Sequence, residues 1–309
     1  MSTLYTLTDR SFLINMGISL SISTRYEQGV KLEVNESKKQ SQLLVFTDLD
    51  GTLADYHTYS YEPALPALDA LKKNHIPLII CSSKTRAEIE KFRSRLDNVH
   101  PFISENGGAI FVPLDYFSFE FPFTRKDFSY LIIEFGTPYH KIRGTLQKIQ
   151  SEYPDLVRGF GNMAAQEVAN LCEIPPDEGV LAKEREYDEP FILEDKKILD
   201  KIREIAKDDH LQIIQGGRFY HLIGENDKGK AVSYLTDISR RAYDDVKTIG
   251  LGDSQNDMPM LQVVDYPVLV KKPDGSHDPN MALDNLIHSP GKGPVGWNYS
   301  VLELLEKLL

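Results

Sequence analysis

Two carboxylates, Asp48 and Asp50, stand one residue apart in the segment LLVFTDLDGT, residues 43–52, where an apolar, partly β-branched run stops abruptly. Side chains at i and i+2 of an extended chain project to the same side. The pair is therefore expected to crowd, and like charges that close raise one of the two pKa values. Such a pair is tolerated where a cation sits between the carboxyls or where one of them carries a proton. Three more segments carry matching chemistry: Ser82-Ser83-Lys84, Lys228 in DKGK, and GDSQND from Gly252 to Asp257. Singly, each is a common turn, helix cap or solvated helix start. Jointly they place carboxylates, a hydroxyl and a lysine at strand ends and helix starts, where a doubly wound sheet gathers its ligand crevice.

That set suits phosphoryl transfer, which needs in-line positioning and neutralisation of the moving group's oxygens. Mg²⁺ prefers hard oxygen ligands. Asp48 and Asp253 are expected to supply two carboxylates and Asp50 a backbone carbonyl, with Asp257 ligating through water or orienting Asp253. The free oxygen of Asp48 would attack phosphorus and form an aspartyl-phosphate. Asp50 would protonate the leaving alkoxide and then take a proton from the attacking water. Ser82 and Lys228 would hold phosphate oxygens. Thr52 would brace the first loop, and Ser83, Lys84 and Asn256 are the remaining substrate-facing candidates of these loops.

The elements around these loops alternate. LLVFTD, IPLIICS and PFISENGGAI read as strands. Between them lie EPALPALDALKKN, with Leu65, Leu68 and Leu71 in a stripe, and KTRAEIEKFRSRL, with Ile89, Phe92 and Leu96 inside. This βαβαβ order predicts a parallel sheet with right-handed crossovers. From Pro113 the rhythm changes. Helices are expected from Thr137-Pro138, in MAAQEVANL, in DEGVLAKERE and in LEDKKILDKIREIAKDD, and a hairpin at Gly216-Gly217. The parallel pattern resumes with DKGKAVSYLTDISRRAY, VKTIGLGDS, NDMPMLQVV and YPVLVKK. The expected architecture is an α/β, doubly wound Rossmann-like core, residues 43–113 and 224–309, interrupted by an α+β insert, 114–223, that acts as a lid. Residues 1–42 read as a variable extension in which Met16 is an alternative start.

Composition bounds the partners. The chain has 309 residues, 41% apolar and 26% charged, as in an ordinary globular protein, and a net charge of −11 that disfavours nucleic acid and anionic membranes. Two cysteines, Cys81 and Cys172, are too few for a disulfide framework or a zinc cluster and fit a reducing cytoplasm. The apolar stretch FLINMGISLSIS is too short to span a membrane.

With its four motifs DLDGT, CSSK, DKGK and GDSQND in order, the chain resembles the haloacid dehalogenase superfamily of Mg²⁺-dependent phosphatases. The large insert between the second and third motifs is similar to the subgroup with a C2-type cap. More narrowly, FTDLDGTLADYHTYSYEPALPAL, SSKTRAEI, ENGGAI, AKEREYDEPF, GGRFYHL, GLGDSQNDMPML and GPVGWN resemble the mannosyl-3-phosphoglycerate phosphatase family. That resemblance implies hydrolysis of 2-(mannosyl)-3-phosphoglycerate to mannosylglycerate, a compatible solute. Glucosyl-3-phosphoglycerate is a close competitor, and a phosphohexomutase or a catalytically idle sugar-phosphate binder remains a rival. The partner is then a small anionic sugar phosphate, and the protein a monomer or homodimer. For such a substrate the lid should offer cations in a fixed fork. Arg185 and Arg218 are the candidates for the glycerate end, Glu186 for sugar hydroxyls, with His221 on its aromatic strand and Lys292 in PGKGPVGWN as further contacts.

Overall fold

The computed structural model describes residues 41–309; the apolar stretch FLINMGISLSIS and the alternative start at Met16 lie outside the described residues. The first strand, β1 (Gln42–Thr47), is followed by α1 (Leu65–Lys73), β2 (Leu78–Cys81), α2 (Arg86–Arg95) and β3 (Phe102–Ser104). Then come β4 (Ala109–Pro113), β5 (Arg125–Lys126) and β6 (Tyr130–Glu134). The inserted part holds α3 (Tyr139–Glu152), β7 (Val157–Gly159), α4 (Ala165–Cys172), α5 (Pro176–Leu181), β8 (Asp188–Leu193), α6 (Leu199–Asp208), β9 (Gln212–Gly216) and β10 (Phe219–Ile223). The chain closes with α7 (Lys228–Ala242), β11 (Val246–Gly252), α8 (Met258–Val263), β12 (Tyr266–Lys271), β13 (Ile287–Lys292) and α9 (Gly293–Leu308).

The large sheet runs in the order β13-β12-β11-β1-β2-β3-β4-β6-β5, parallel from β13 through β3. β1 is central because it is apolar on both faces. Leu43 and Val45 enter one hydrophobic cluster, while Leu44 and Phe46 enter the other. α1 and its N-cap turn Ala64, Ala67, Leu68 and Leu71 inward, an i, i+3, i+4, i+7 face, and leave Leu65 at the helix start exposed. The expected stripe through Leu65 is thus rotated by one position. α2 starts on a capping box between Thr85 and Glu88 and buries Ile89, Phe92 and Leu96.

The second sheet, β7-β8-β10-β9, is antiparallel and is covered by α3 and α6 around Ile142, Leu146, Phe191 and Ile202. The hairpin at Gly216-Gly217 forms, but Gly216 pairs with Phe219, so Gly217 and Arg218 make the turn. Two strands within residues 114–223, β5 and β6, belong instead to the large sheet. β6 pairs with β4, and its neighbours Ile132 and Ile133 are buried in opposite clusters, so both faces are claimed by the core. Beyond β12 no strand is expected from the sequence, yet β13 forms there as an edge strand. Its IHSPGK lacks alternation, and proline is tolerated at an edge. Among the described residues no helix is long and apolar enough to cross a membrane.

Trp297 on α9 is fully buried and is more than filler. Its Nε1–H donates to Thr47 Oγ1 at 3.0 Å, and that hydroxyl donates to the carbonyl of Asp48 at 2.7 Å. The indole therefore braces the strand end that carries Asp48. Trp297→Phe should lower stability by about 2 kcal/mol, from a lost hydrogen bond plus a cavity. Equilibrium denaturation checks this, and an unchanged midpoint would refute the brace.

Candidate active site

Strand ends β1 and β11 and the start of α7 bring three carboxylates and one ammonium together. Ligand oxygens of Asp48, Asp253 and Asp257 lie within 4.8 Å of one another. Lys228 is fully buried, and its Nζ sits 2.7 Å from Asp48 Oδ1 and 2.6 Å from Asp257 Oδ1. Burial works against this ammonium, yet the charges of Asp257 and Asp48 outweigh it and hold its pKa above the usual lysine value. Burial, then the charges of Asp257 and Asp50, push the Asp48 carboxyl up to about 7 despite Lys228. Burial and the neighbouring Asp257 and Asp48 likewise hold Asp253 well above the carboxylate range. With all three carboxylates ionised, they would exceed the one ammonium by two negative charges, and a buried site lined by carboxylate oxygens fits a hard divalent cation.

Asp257 differs from its neighbours. Its Oδ1 takes Lys228, and its Oδ2 accepts the backbone N–H groups of Asp253 and Ser254 at 3.0 and 3.1 Å. Both oxygens are thus engaged, which suits the orienting alternative for Asp257. Thr52 Oγ1 donates to Asp253 Oδ1 at 3.2 Å, so it braces the opposite loop.

The expected crowding of Asp48 against Asp50 is resolved differently from a cation held between them. β1 ends at Thr47, and the chain turns at Gly51, whose φ is +78°, so the i, i+2 rule no longer applies. Asp50 takes its own partner, Lys84 Nζ at 3.1 Å, which also contacts Glu88 at 3.3 Å. The second oxygen of Asp50 is buried without a hydrogen-bond partner, beside the cavity that Asp48 also lines. Ser82 is buried and its Oγ accepts the amide of Lys84 at 3.3 Å; Ser83 and Lys84 face the cavity at that strand end.

The cap closes the cavity with side chains the sequence only partly predicted. Arg185, Arg218 and His221 border it, and so does Asn256 from the core. Both arginines spend N–H groups on protein oxygens. Arg185 donates to the carbonyls of Ser83 and Ala182, both at 2.8 Å, and is 5% exposed, which excludes a surface pair. Arg218 donates to the carbonyls of Tyr56 and Leu171 and pairs with Glu173 at 2.9 Å. Both therefore bridge cap to core. Two expected contacts fall elsewhere. Glu186 pairs with Arg125, outside the cavity, because its backbone is pulled onto the buried carboxylate of Glu105. Lys292 stands at the N-cap position of α9 and donates to the carbonyl of Pro273 at 2.5 Å, and it does not border this cavity.

Sequence reasoning missed Tyr56 and Tyr59, which line the cavity from the loop after DLDGT, and Phe160 and Phe219, which line it from the cap. Two signals were available: the run DYHTYSY follows the first motif after Leu53-Ala54, and Phe219 lies in GGRFYHL. Cys81 is buried, whereas Cys172 is half-buried and borders the cavity.

A family model described as haloacid dehalogenase-like hydrolase matches residues 45–275. The chain is 50% identical over 265 residues to a protein of Methanococcoides burtonii named glucosyl-3-phosphoglycerate/mannosyl-3-phosphoglycerate phosphatase, covering 85% of this chain and 97% of that protein. A protein of the same name from Persephonella marina is 40% identical over 268 residues, covering 86% and 98%. Among solved structures, a Thermoplasma acidophilum protein superimposes with a TM-score of 0.62 at 20% identity, covering 86% of this chain and 99% of its own.

Proposed function

Because this chain belongs to the haloacid dehalogenase-like hydrolase family and is a phosphoric monoester hydrolase, we propose that it releases phosphate from glycosyl-3-phosphoglycerates, the mannosyl and glucosyl esters alike. The observation that carries the chemistry is the buried set Asp48–Lys228–Asp257 with Asp253 beside it. The substrate class is supported by relatives named for both sugars that match the chain along nearly their whole length.

In this reading Asp48 is the nucleophile. Lys228 holds one of its oxygens and leaves the other free to attack phosphorus. The P–O bond to the sugar-bearing glycerate breaks as the Asp48–phosphorus bond forms, and Asp50 delivers a proton to the departing alkoxide. Asp50 then takes a proton from the water that hydrolyses the aspartyl-phosphate. Asp48, Asp253 and the Asp50 carbonyl would hold Mg²⁺, with Asp257 orienting them. The ion supplies charge neutralisation at the phosphoryl oxygens. Ser83 at the end of β2 borders the cavity and would donate to a phosphate oxygen, Ser82 lies buried beside it, and Lys84 would keep Asp50 aimed at the leaving group. Tyr56, Tyr59, Phe160, Phe219 and His221 form the wall against which the sugar and glycerate rest.

Phosphate release measured in parallel on mannosyl- and glucosyl-3-phosphoglycerate and on simple hexose phosphates tests the substrate. Both glycosyl-3-phosphoglycerates should be turned over far faster than hexose phosphates, and a preference for the latter would overturn the assignment. Asp50→Asn should lose about a thousandfold on glycosyl-3-phosphoglycerate but far less on an activated aryl phosphate, whose leaving group needs no proton. Equal losses on both would remove the acid role.

A further inference from the structure

The motif ENGGAI has no part in the chemistry derived so far, yet its Asn106 occupies the meeting point of four loops. It is 1% exposed. Its backbone N–H donates to the carbonyl of Ser82 at 3.0 Å, and its own carbonyl accepts from Asn226 Nδ2 at 3.2 Å. Its side-chain Nδ2 donates to Asp188 Oδ2 at 2.9 Å, and its Oδ1 accepts from Asn256 Nδ2 at 2.9 Å. A carboxylate only accepts, so the Asp188 contact fixes which way the amide points. The backbone is equally committed. Glu105, Asn106 and Gly107 take φ values of +47°, +56° and +83°, three left-handed residues in succession, a conformation asparagine and glycine accept best.

Each side-chain contact leads to the cavity. Asp188, on the cap, also accepts the Nδ1–H of His221 at 2.8 Å, and the His221 ring borders the cavity. Among the described residues, Nε2 of that ring has no hydrogen-bond partner. Asn256, on the core, borders the same cavity and takes the hydroxyl of Ser254 at 2.7 Å. The two cavity-facing groups stand side by side. A Cβ placed on Gly216 would lie 3.2 Å from both His221 Nε2 and Asn256 Nδ2. Asn106 thus touches the core member directly and the cap member through Asp188.

We propose that Asn106 is a positioning residue that sets the cap against the core, so that His221 and Asn256 meet a substrate whose alcohol part fills the cap. This rests on the reading of the cap cavity as the seat of the sugar and glycerate. The expectation follows for phosphate esters of large polar alcohols and only weakly for a flat aryl phosphate, which needs few cap contacts.

Asn106→Gly is the variant of choice, because it keeps the left-handed backbone unstrained and removes only the amide. On the sugar-phosphate ester that the wild-type protein hydrolyses fastest, kcat/KM should fall about 30-fold, against less than about threefold on p-nitrophenyl phosphate. His221→Ala should lose a similar amount on the sugar ester. The double variant should fall no further than the worse single one, since both act through one chain of contacts. Asn106→Asp retains size and backbone preference but sets an oxygen against Asp188, so it should lose at least as much as the glycine variant. Equal losses on both substrates, multiplied losses in the double variant, or a wild-type-like Asn106→Asp would each overturn the proposal. If Asn106→Gly fails to fold, the aspartate variant decides alone. Absence of wild-type activity on both glycosyl-3-phosphoglycerates would defeat the substrate reading, whereas the coupling is still measured on whichever sugar phosphate is turned over.

Discussion

Asp48→Asn is expected to reduce phosphate release on the order of 10⁴-fold while leaving the fold and substrate affinity close to those of the wild-type protein. An amide is a poor nucleophile towards phosphorus, so the route through a covalent intermediate is closed, and little of the covalent contribution survives. The structure explains why the loss should be confined to chemistry. The amide oxygen of asparagine can still accept from Lys228, now 2.7 Å from Asp48 Oδ1, and the substitution removes one of three crowded negative charges. Single-turnover assays with mass spectrometry to exclude deamidation would measure this, alongside a thermal melt. Mass spectrometry of quenched wild-type protein should find phosphate on the peptide carrying Asp48. Turnover within tenfold of wild type in the verified asparagine protein would end the nucleophile assignment.

Lys228→Met should have the second largest effect, and on stability as well as on rate. Methionine matches the length of lysine but not its charge. It leaves Asp48, Asp253 and Asp257 facing one another in a site where Lys228 is fully buried. Removing one partner of a buried ion pair costs about 3–5 kcal/mol. Loss of a preorganised cation beside the developing charge should cost on the order of 10²- to 10³-fold in kcat. The destabilisation should be partly reversed by Mg²⁺, and the rise in Tm on adding the ion should exceed that of the wild-type protein, because the variant holds more uncompensated negative charge. Lys228→Arg should not rescue it, since a planar fork does not fit a seat shaped for a compact ammonium. Melting curves with chelator and with excess Mg²⁺ provide the measurement. A melting temperature equal to wild type in chelator would show that the three carboxylates do not need this lysine.

The core was largely legible because its signals are local. β1 announces a central strand through an unbroken apolar run whose alternate residues serve two clusters. α2 announces its start through Thr85 and Glu88. Asp48, Lys228, Asp253 and Asp257 sit at turns fixed by short stretches of sequence, and the parallel topology places those turns at one edge. The insert was harder. β6 reads as part of it because chain order says so, but Ile132 and Ile133 find their partners across the large sheet. β13 carries proline and glycine and has no pattern to betray it.

The side chains of the cap mark the boundary most clearly. The sequence by itself determined that an insert lies between the second and third motifs and that it carries Arg185, Arg218 and His221. It also determined which loops bear carboxylates. Only the tertiary structure decided that the two arginines tie cap to core, that Glu186 turns away to Arg125, and that Asp50 is matched to Lys84 while Asp48 is matched to Lys228. The physical reason is that a charged side chain is defined by what stands opposite it. A turn or a strand is written in neighbouring residues, whereas the partner of Lys228 in Asp48 lies 180 positions away and exists only once the sheet has closed.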